Sequence, residues 1–294
     1  MKPAPFDYVA PNTIDEACAI LAEAGGGATI LAGGQTLMPL LNLRMSQPFM
    51  LVDINKISAL NGISRVDGGT RIGPITRQCE AIESEILARD LPVIVQAIKH
   101  VGHHQTRNRG TVGGSIALGE PAAELPATAV ALDAMIDVQS VRGTRRIPAS
   151  EFYVGPYMNS LEPDEIVTGI TFPDWPKNHT PLFRELAQRP GDFALVGIVG
   201  ALAVENGKII RAGIAWFAMG PTPIRAKSAE KMLIGQSLDA IDVQAIAERA
   251  IADTAPFDDS HASAEYRRTV GKRLFVSALR EALAAYAATE GETA

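Results

Sequence analysis

The sequence predicts an α+β protein built in three parts, and three local patterns carry the prediction. Near the N-terminus a capped helix is followed by short apolar strands. In the middle, helical stretches lie between alternating strands. Toward the C-terminus an Asn-Gly turn separates two long apolar runs before helical patterns close the chain. The parts are expected at residues 1–54, 55–177 and 178–294.

In the first part, Thr13-Ile14-Asp15-Glu16 reads as a capping box, in which Thr13 accepts from the Glu16 N–H while Glu16 reaches back. Ala17, Ile20, Leu21 and Ala24 recur at helical spacing, and Gly25-Gly26-Gly27 ends that helix. Residues 28–31 and 50–54 read as short buried strands. From Asn55 the pattern predicts a strand at 70–73, two helices at 79–88 and 92–101, and a third at 122–132 with Glu124 in its first turn. Residues 135–141 and 166–172 alternate as strands of an antiparallel or mixed sheet, and Pro173-Asp174-Trp175-Pro176-Lys177 is the expected linker. Beyond it, 193–204 and 209–217 flank Glu205-Asn206-Gly207-Lys208, a strong hairpin signal. Helices are expected at 226–234, 243–252 and 264–288, the last with an apolar stripe of Leu274, Ala278, Leu279 and Leu283 that reads as core.

Composition narrows the function classes. A chain of 294 residues with 47% hydrophobic content can build two or three cores. Its net charge of −6 disfavours a nucleic-acid or anionic-membrane surface. No apolar run approaches the ~20 residues that span a bilayer, and Met1-Lys2-Pro3-Ala4-Pro5 lacks a signal-peptide core, so a cytoplasmic location is expected. Cys18 and Cys79 form no C-x-x-C pair and read as small apolar helix residues. An iron–sulfur cluster needs about four thiolates, more than this chain has. The five histidines lack zinc-ligand spacing.

Two glycine-rich segments remain: Ala32-Gly33-Gly34-Gln35-Thr36-Leu37 and Thr111-Val112-Gly113-Gly114-Ser115. Neither matches the P-loop or the G-x-G-x-x-G fingerprint. Either could be an ordinary turn. Together they suit two sides of one elongated ligand, whose diphosphate is held by backbone N–H groups and hydroxyls without a nearby cation. Glu124 could hold a sugar hydroxyl beside that diphosphate, or simply favour the start of a helix.

Four stretches, taken in order, resemble one family. They are Ala32-Gly33-Gly34-Gln35-Thr36-Leu37; Arg107-Asn108-Arg109-Gly110-Thr111-Val112-Gly113-Gly114-Ser115; Pro121-Ala122-Ala123-Glu124-Leu125-Pro126; and Arg189-Pro190-Gly191-Asp192-Phe193-Ala194. The chain is similar, from Phe6 to about Tyr286, to the FAD-binding medium subunit of molybdenum hydroxylases, a group that includes the flavoprotein subunits of carbon monoxide, xanthine and nicotinate dehydrogenases. The resemblance implies the two-subdomain FAD-binding fold of the p-cresol methylhydroxylase (PCMH) and carbon monoxide dehydrogenase flavoprotein type, followed by a C-terminal sheet-and-helix domain. It implies that Ala32, Gly33, Gly34, Gln35, Thr36 and Leu37 on one side, and Thr111, Gly113, Gly114 and Ser115 on the other, grip the FAD diphosphate. It implies further that Glu124 meets a sugar-chain hydroxyl, that Val101 lies near the cofactor and Val167 against the flavin, and that Arg184 approaches the isoalloxazine. A cation there would stabilise charge on the reduced ring.

The same resemblance implies partners: a large molybdopterin-binding subunit and a small subunit with two [2Fe–2S] clusters, in a dimer of heterotrimers. This chain would then pass electrons from the clusters to an external acceptor, with no catalytic acid or base of its own. Gly119-Glu120-Pro121 departs from the Ala-Asp-Pro common in relatives, and the cysteine-bearing insertion of the benzoyl-CoA-reducing branch is missing. Two other classes stay open at this point: a stand-alone flavin oxidase or dehydrogenase, for which no histidine or tyrosine is placed to serve as base, and a nucleotide-binding module without catalysis.

Overall fold

A computed structural model describes residues 2–291. The N-terminal stretch runs β1 (Asp7–Val9), α1 (Ile14–Ala24), β2 (Ala28–Leu31), α2 (Leu37–Asn42) and β3 (Met50–Asp53). The strands form a parallel sheet in the order β1-β3-β2. The Thr13 hydroxyl accepts from Glu16 N at 3.1 Å, while the Glu16 carboxylate accepts from Asn12 N at 2.7 Å rather than from Thr13. The first bond satisfies an N–H group that the first helical turn leaves open, and the second ties the chain just before the cap back onto that turn. Ala17, Cys18 and Leu21 of α1 then pack against Val52 and Ile54 in one small core.

The middle stretch contains β4 (Ile63–Val66), β5 (Gly69–Ile72), α3 (Gln78–Ile82), α4 (Glu85–Asp90), α5 (Pro92–His100), α6 (His104–Arg109), α7 (Val112–Leu118) and α8 (Glu124–Ala131). After these come β6 (Met135–Ser140), β7 (Gly143–Pro148), α9 (Ala149–Phe152), the small β8 (Tyr153–Gly155) and β9 (Met158–Asn159) pair, and β10 (Ile166–Pro173). Five strands make an antiparallel sheet in the order β4-β5-β10-β6-β7. The helix expected at 79–88 is two helices, because the Ser84 side chain accepts from Leu87 N and starts α4 afresh.

The C-terminal stretch holds β11 (His179–Ala187), β12 (Ala194–Glu205), β13 (Lys208–Phe217) and β14 (Ile224–Arg225), an antiparallel sheet in chain order, then α10 (Lys227–Leu233), α11 (Val243–Ala252) and α12 (Ala264–Gly291). Asn206 (φ 51°) and Gly207 (φ 70°) form the two-residue turn between paired Glu205 and Lys208, with the left-handed angles of a type I′ hairpin.

This last sheet is buried on both faces. Leu182, Val196, Ile198, Ile214 and Trp216 pack with α10 to α12, where Phe275, Ala278 and Leu279 supply the core face of α12, flanked by Leu274 and Leu283. Phe183, Val199, Ala201, Ala215 and Phe217 instead join Ile94, Ile98, Leu125 and Val130 of α5 and α8 in the central core. Burial on both sides explains why β12 is apolar along nearly its whole length instead of alternating.

Candidate functional site

The first glycine segment runs from the end of β2 to the start of α2. Among the described residues, the backbone N–H groups of Gly33, Gly34, Gln35, Thr36 and Leu37 donate to nothing in the chain. Their carbonyls are used: Gly34 O accepts from Met38 N at 3.0 Å, Thr36 O from Leu40 N at 3.2 Å, and Gly33 O from the Gln35 side chain at 3.2 Å. Gly34 holds φ at +69°, which turns the chain so that successive amides are not spent on a helix or sheet ladder. Five open donors in sequence make a concavity suited to an anion.

The second segment is a helix start, and there the expectation of a bare glycine loop is corrected. Thr111 is the N-cap of α7 and its hydroxyl accepts from Gly114 N at 3.0 Å. Val112 N donates to Thr76 O, Gly113 N to Pro74 O and Ser115 N to Thr111 O, at 2.9–3.2 Å. Neither Gly113 nor Gly114 has a positive φ. Gly113 is there for contact: a Cβ on it would lie 2.4 Å from Pro74 Cβ and 2.7 Å from Pro74 O.

The fold brings the two segments together. A Cβ on Gly33 would stand 2.5 Å from Arg109 O, 2.9 Å from Gly110 Cα and 3.1 Å from Thr111 N, so only glycine permits this approach. A polar strap fixes it. Asn55 donates through its side-chain amide to Ala32 O at 2.9 Å and to Asp53 Oδ1 at 2.6 Å. Arg77 donates to Asn55 Oδ1 at 2.6 Å and, through its other terminal nitrogen, to Arg109 O. Tyr8 closes the strap with a 2.6 Å bond to Asp53 Oδ2. Burial pushes the Asp53 pKa up, but the hydrogen bonds from Tyr8 and Asn55 outweigh it and hold the carboxyl below its ordinary value. The sequence pattern singled out none of Tyr8, Asp53, Asn55 or Arg77. The signal available was Asp53-Ile54-Asn55 at the end of a predicted strand, a place where short polar side chains turn back on the backbone.

The remaining candidates are dispersed. Val101 is the C-cap of α5, and its carbonyl accepts from Arg107 at 3.0 Å. Glu124 opens α8 with 4% exposure. Burial first, and the neighbouring Glu185 second, push its pKa up to about 8. Val167 of β10 is buried in the central core with Val112 and Ile116 of α7, beside the bulge at Thr168. Arg184 of β11 shares a face with Leu182, toward the C-terminal core, and pairs with Glu281 of α12. The next residue, Glu185, takes the opposite face with Phe183.

A cavity of about 560 Å³ lies between the turn after α5 and the turn after β11, lined by His100, Gly102, His103, Arg107, Glu185 and Gly191 among others. It adjoins the glycine segments through α6, whose Arg107 reaches the cavity and whose Arg109 carbonyl meets Gly33. Six helical residues span about 9 Å, the length of α6 between the two. Among the described residues there is no group of His, Cys, Asp and Glu that could hold a metal ion, and no helix is long and apolar enough to cross a membrane.

Known proteins share this fold. Residues 4–175 match the family described as the FAD binding domain in molybdopterin dehydrogenase, and residues 182–282 match the C-terminal domain of carbon monoxide dehydrogenase flavoprotein. The chain is 39% identical to the 6-hydroxypseudooxynicotine dehydrogenase complex subunit alpha of Paenarthrobacter nicotinovorans, over 96% of its own length and 97% of that protein's. It superposes with a TM-score of 0.93 on a chain of carbon monoxide dehydrogenase from Hydrogenophaga pseudoflava, at 35% identity, covering 97% of this chain and 99% of the other. For quinoline 2-oxidoreductase from Pseudomonas putida 86 the TM-score is 0.91, at 31% identity and the same coverage.

Proposed function

From the premise that the chain belongs to the FAD-binding medium subunits of molybdenum hydroxylases, and is thus the flavoprotein component of an oxidoreductase, we propose that it carries FAD as the outlet for electrons in a three-subunit complex. Electrons arrive from [2Fe–2S] clusters on a small partner, after substrate oxidation at a molybdenum cofactor on a large one, and leave to an external acceptor. The complex is a cytoplasmic dimer of heterotrimers. The chain divides at residues 1–54, 55–177 and 178–294, the first two parts holding the cofactor and the third closing over it.

The observation that carries the reading is the row of five unspent N–H groups at 33–37, pinned against the start of α7. Such donors fit a diphosphate, whose charge is met by aligned amide dipoles. In this reading Gly33 to Leu37 bind the diphosphate, while Thr111, Gly113, Gly114 and Ser115 form the wall against which it is oriented. Glu124 meets a sugar hydroxyl, and Val101 and Val167 exclude water along the cofactor. Arg184 would reach the ring only by leaving Glu281. FAD, when bound, supplies one- and two-electron redox chemistry. No residue of this chain is asked to act as acid or base on a substrate.

The purified chain is expected to contain about one FAD, released intact by acid because no covalent link is made. FMN in place of FAD, or no flavin after addition of FAD, would overturn the reading. Expressed with its partner chains, it should co-purify with iron and molybdenum; isolation of an active flavoprotein free of both would refute the electron-outlet role.

A further inference from the structure

Glu185 is a buried acid with nothing to hold. Its side chain is 4% exposed, and its Oε2 atom has no hydrogen-bond partner among the described residues. His100 Nδ1 of α5 stands 3.7 Å from that oxygen, beyond hydrogen-bond reach. Burial, with Arg107 and Arg184 nearby, lowers the His100 pKa and disfavours its charged form. The other groups around Glu185 do not neutralise it. From α8 comes a second acid, Glu124, itself close to Glu120. From α6, Arg107 donates through one terminal nitrogen to the carbonyls of Val101 and Gly102 and makes no bond to Glu185. On the strand itself Arg184 is paired with Glu281 of α12, and past its end Arg189 is paired with Asp192. Lys99, His103 and His104, the last beside the Asn108 amide, complete the charged and titratable groups at the cavity, and none is bonded to the carboxyl.

A carboxyl in such surroundings is disfavoured in its charged form. Kept neutral, it is an O–H donor lining the 560 Å³ cavity. We propose that Glu185, in its neutral form, is a ligand contact of this site, donating a hydrogen bond to a carbonyl oxygen or ring nitrogen of the heteroaromatic end of bound FAD. The inference rests on the FAD reading above and adds a residue which that reading did not contain. Arg184, the cation expected there, turns to the other face of β11, so the group presented from this strand is an acid.

Burial pushes Glu185 up to about 7 and Glu124 up to about 8, so the donor form is populated near neutrality. A ligand that accepts from the protonated carboxyl raises its pKa further. Binding then takes up a proton, and affinity falls as pH rises above about 7. The test is titration of the flavin-stripped full chain with FAD, followed by fluorescence quenching, between pH 6 and pH 8. The wild-type chain should weaken about tenfold over this range, the amount expected one pH unit above the titrating pKa. Glu185→Gln keeps an N–H donor and should bind like wild type at pH 6 and lose less than about threefold by pH 8, since Gln cannot ionise. Glu185→Leu should be weaker by about tenfold already at pH 6, the loss of one hydrogen bond at a buried site. A Glu185→Gln curve parallel to wild type, or Glu185→Leu equal to wild type at pH 6, overturns the proposal. Glu185→Gln decides alone if the Leu variant does not fold. A wild-type chain that binds no FAD at any pH defeats the FAD reading itself, an outcome distinct from FAD binding that ignores Glu185.

Discussion

The segments that hold Gly33-Gly34 and Gly113-Gly114 meet where Gly33 approaches Arg109 to Thr111, yet the first pair leaves its N–H groups open while the second spends them inside the chain. Both pairs owe their glycines to the absence of a Cβ, for different reasons. Gly34 needs a left-handed φ and Gly33 a close approach to Arg109 O, and together they expose donors. Gly113 sits in an ordinary helix against Pro74, and its neighbours satisfy a helix start. A glycine pair in sequence is therefore ambiguous between a binding surface and a packing joint. The two differ in which acceptors lie within reach, and that is settled by residues far along the chain.

The largest expected effect comes from forcing the segments apart. Gly33→Val puts a branched side chain where a backbone carbonyl stands 2.5 Å from the Cβ, and a carbonyl in a strapped turn cannot yield. FAD affinity should drop at least about a hundredfold, the equivalent of losing one or two charge-assisted hydrogen bonds. Stability should fall by about 1–3 kcal/mol from overpacking. Flavin absorbance retained after gel filtration would show that the donors work without the contact, and the comparison would fail.

An intermediate effect separates the members of the second pair. Gly113→Ala drives a Cβ into Pro74 and should cost about 1–3 kcal/mol in urea unfolding. Gly114→Ala crowds only the Thr111 hydroxyl, at 2.7 Å, and meets Ala32 Cβ at an ordinary 3.8 Å. It should lose up to about 1 kcal/mol of capping, largely offset by the better helix propensity of alanine. Equal destabilisation by both would mean that Gly113 is not the packing joint described.

The smallest effect is expected at Arg184. Its partner Glu281 is exposed, and such pairs contribute about 0–1 kcal/mol, so Arg184→Ala should change stability by less than that. With the guanidinium held on the α12 face, the flavin midpoint potential should not move. A fall of tens of millivolts, roughly 20–30 mV per kcal/mol for two electrons, would instead show that Arg184 leaves Glu281 when the cofactor is present.

Much of this molecule was legible in its residues. The capped first helix, the hairpin at Asn206-Gly207 and the apolar face of the last helix depend on interactions within a few positions, and each stands where local pattern puts it. Local chemistry also marked 32–37 and 111–115 as special, because paired glycines amid apolar residues leave bare backbone where side chains would otherwise pack. One local signal was passed over: the helix expected at 79–88 broke at Ser84, whose side chain caps Leu87 N three residues on. Tertiary structure decided the rest. Thr76 and Pro74, brought over by a β-bridge between Arg77 and Thr111, consumed the amides of the second segment. The strap from Tyr8 to Arg77 joins residues 69 positions apart (77 − 8), and the environment of Glu185 is made by α5 and α8, distant in the chain. Sequence determines which groups can donate, accept or ionise. Whether a donor is spent or a carboxyl is desolvated depends on what the fold packs beside it, and no local pattern contains that information.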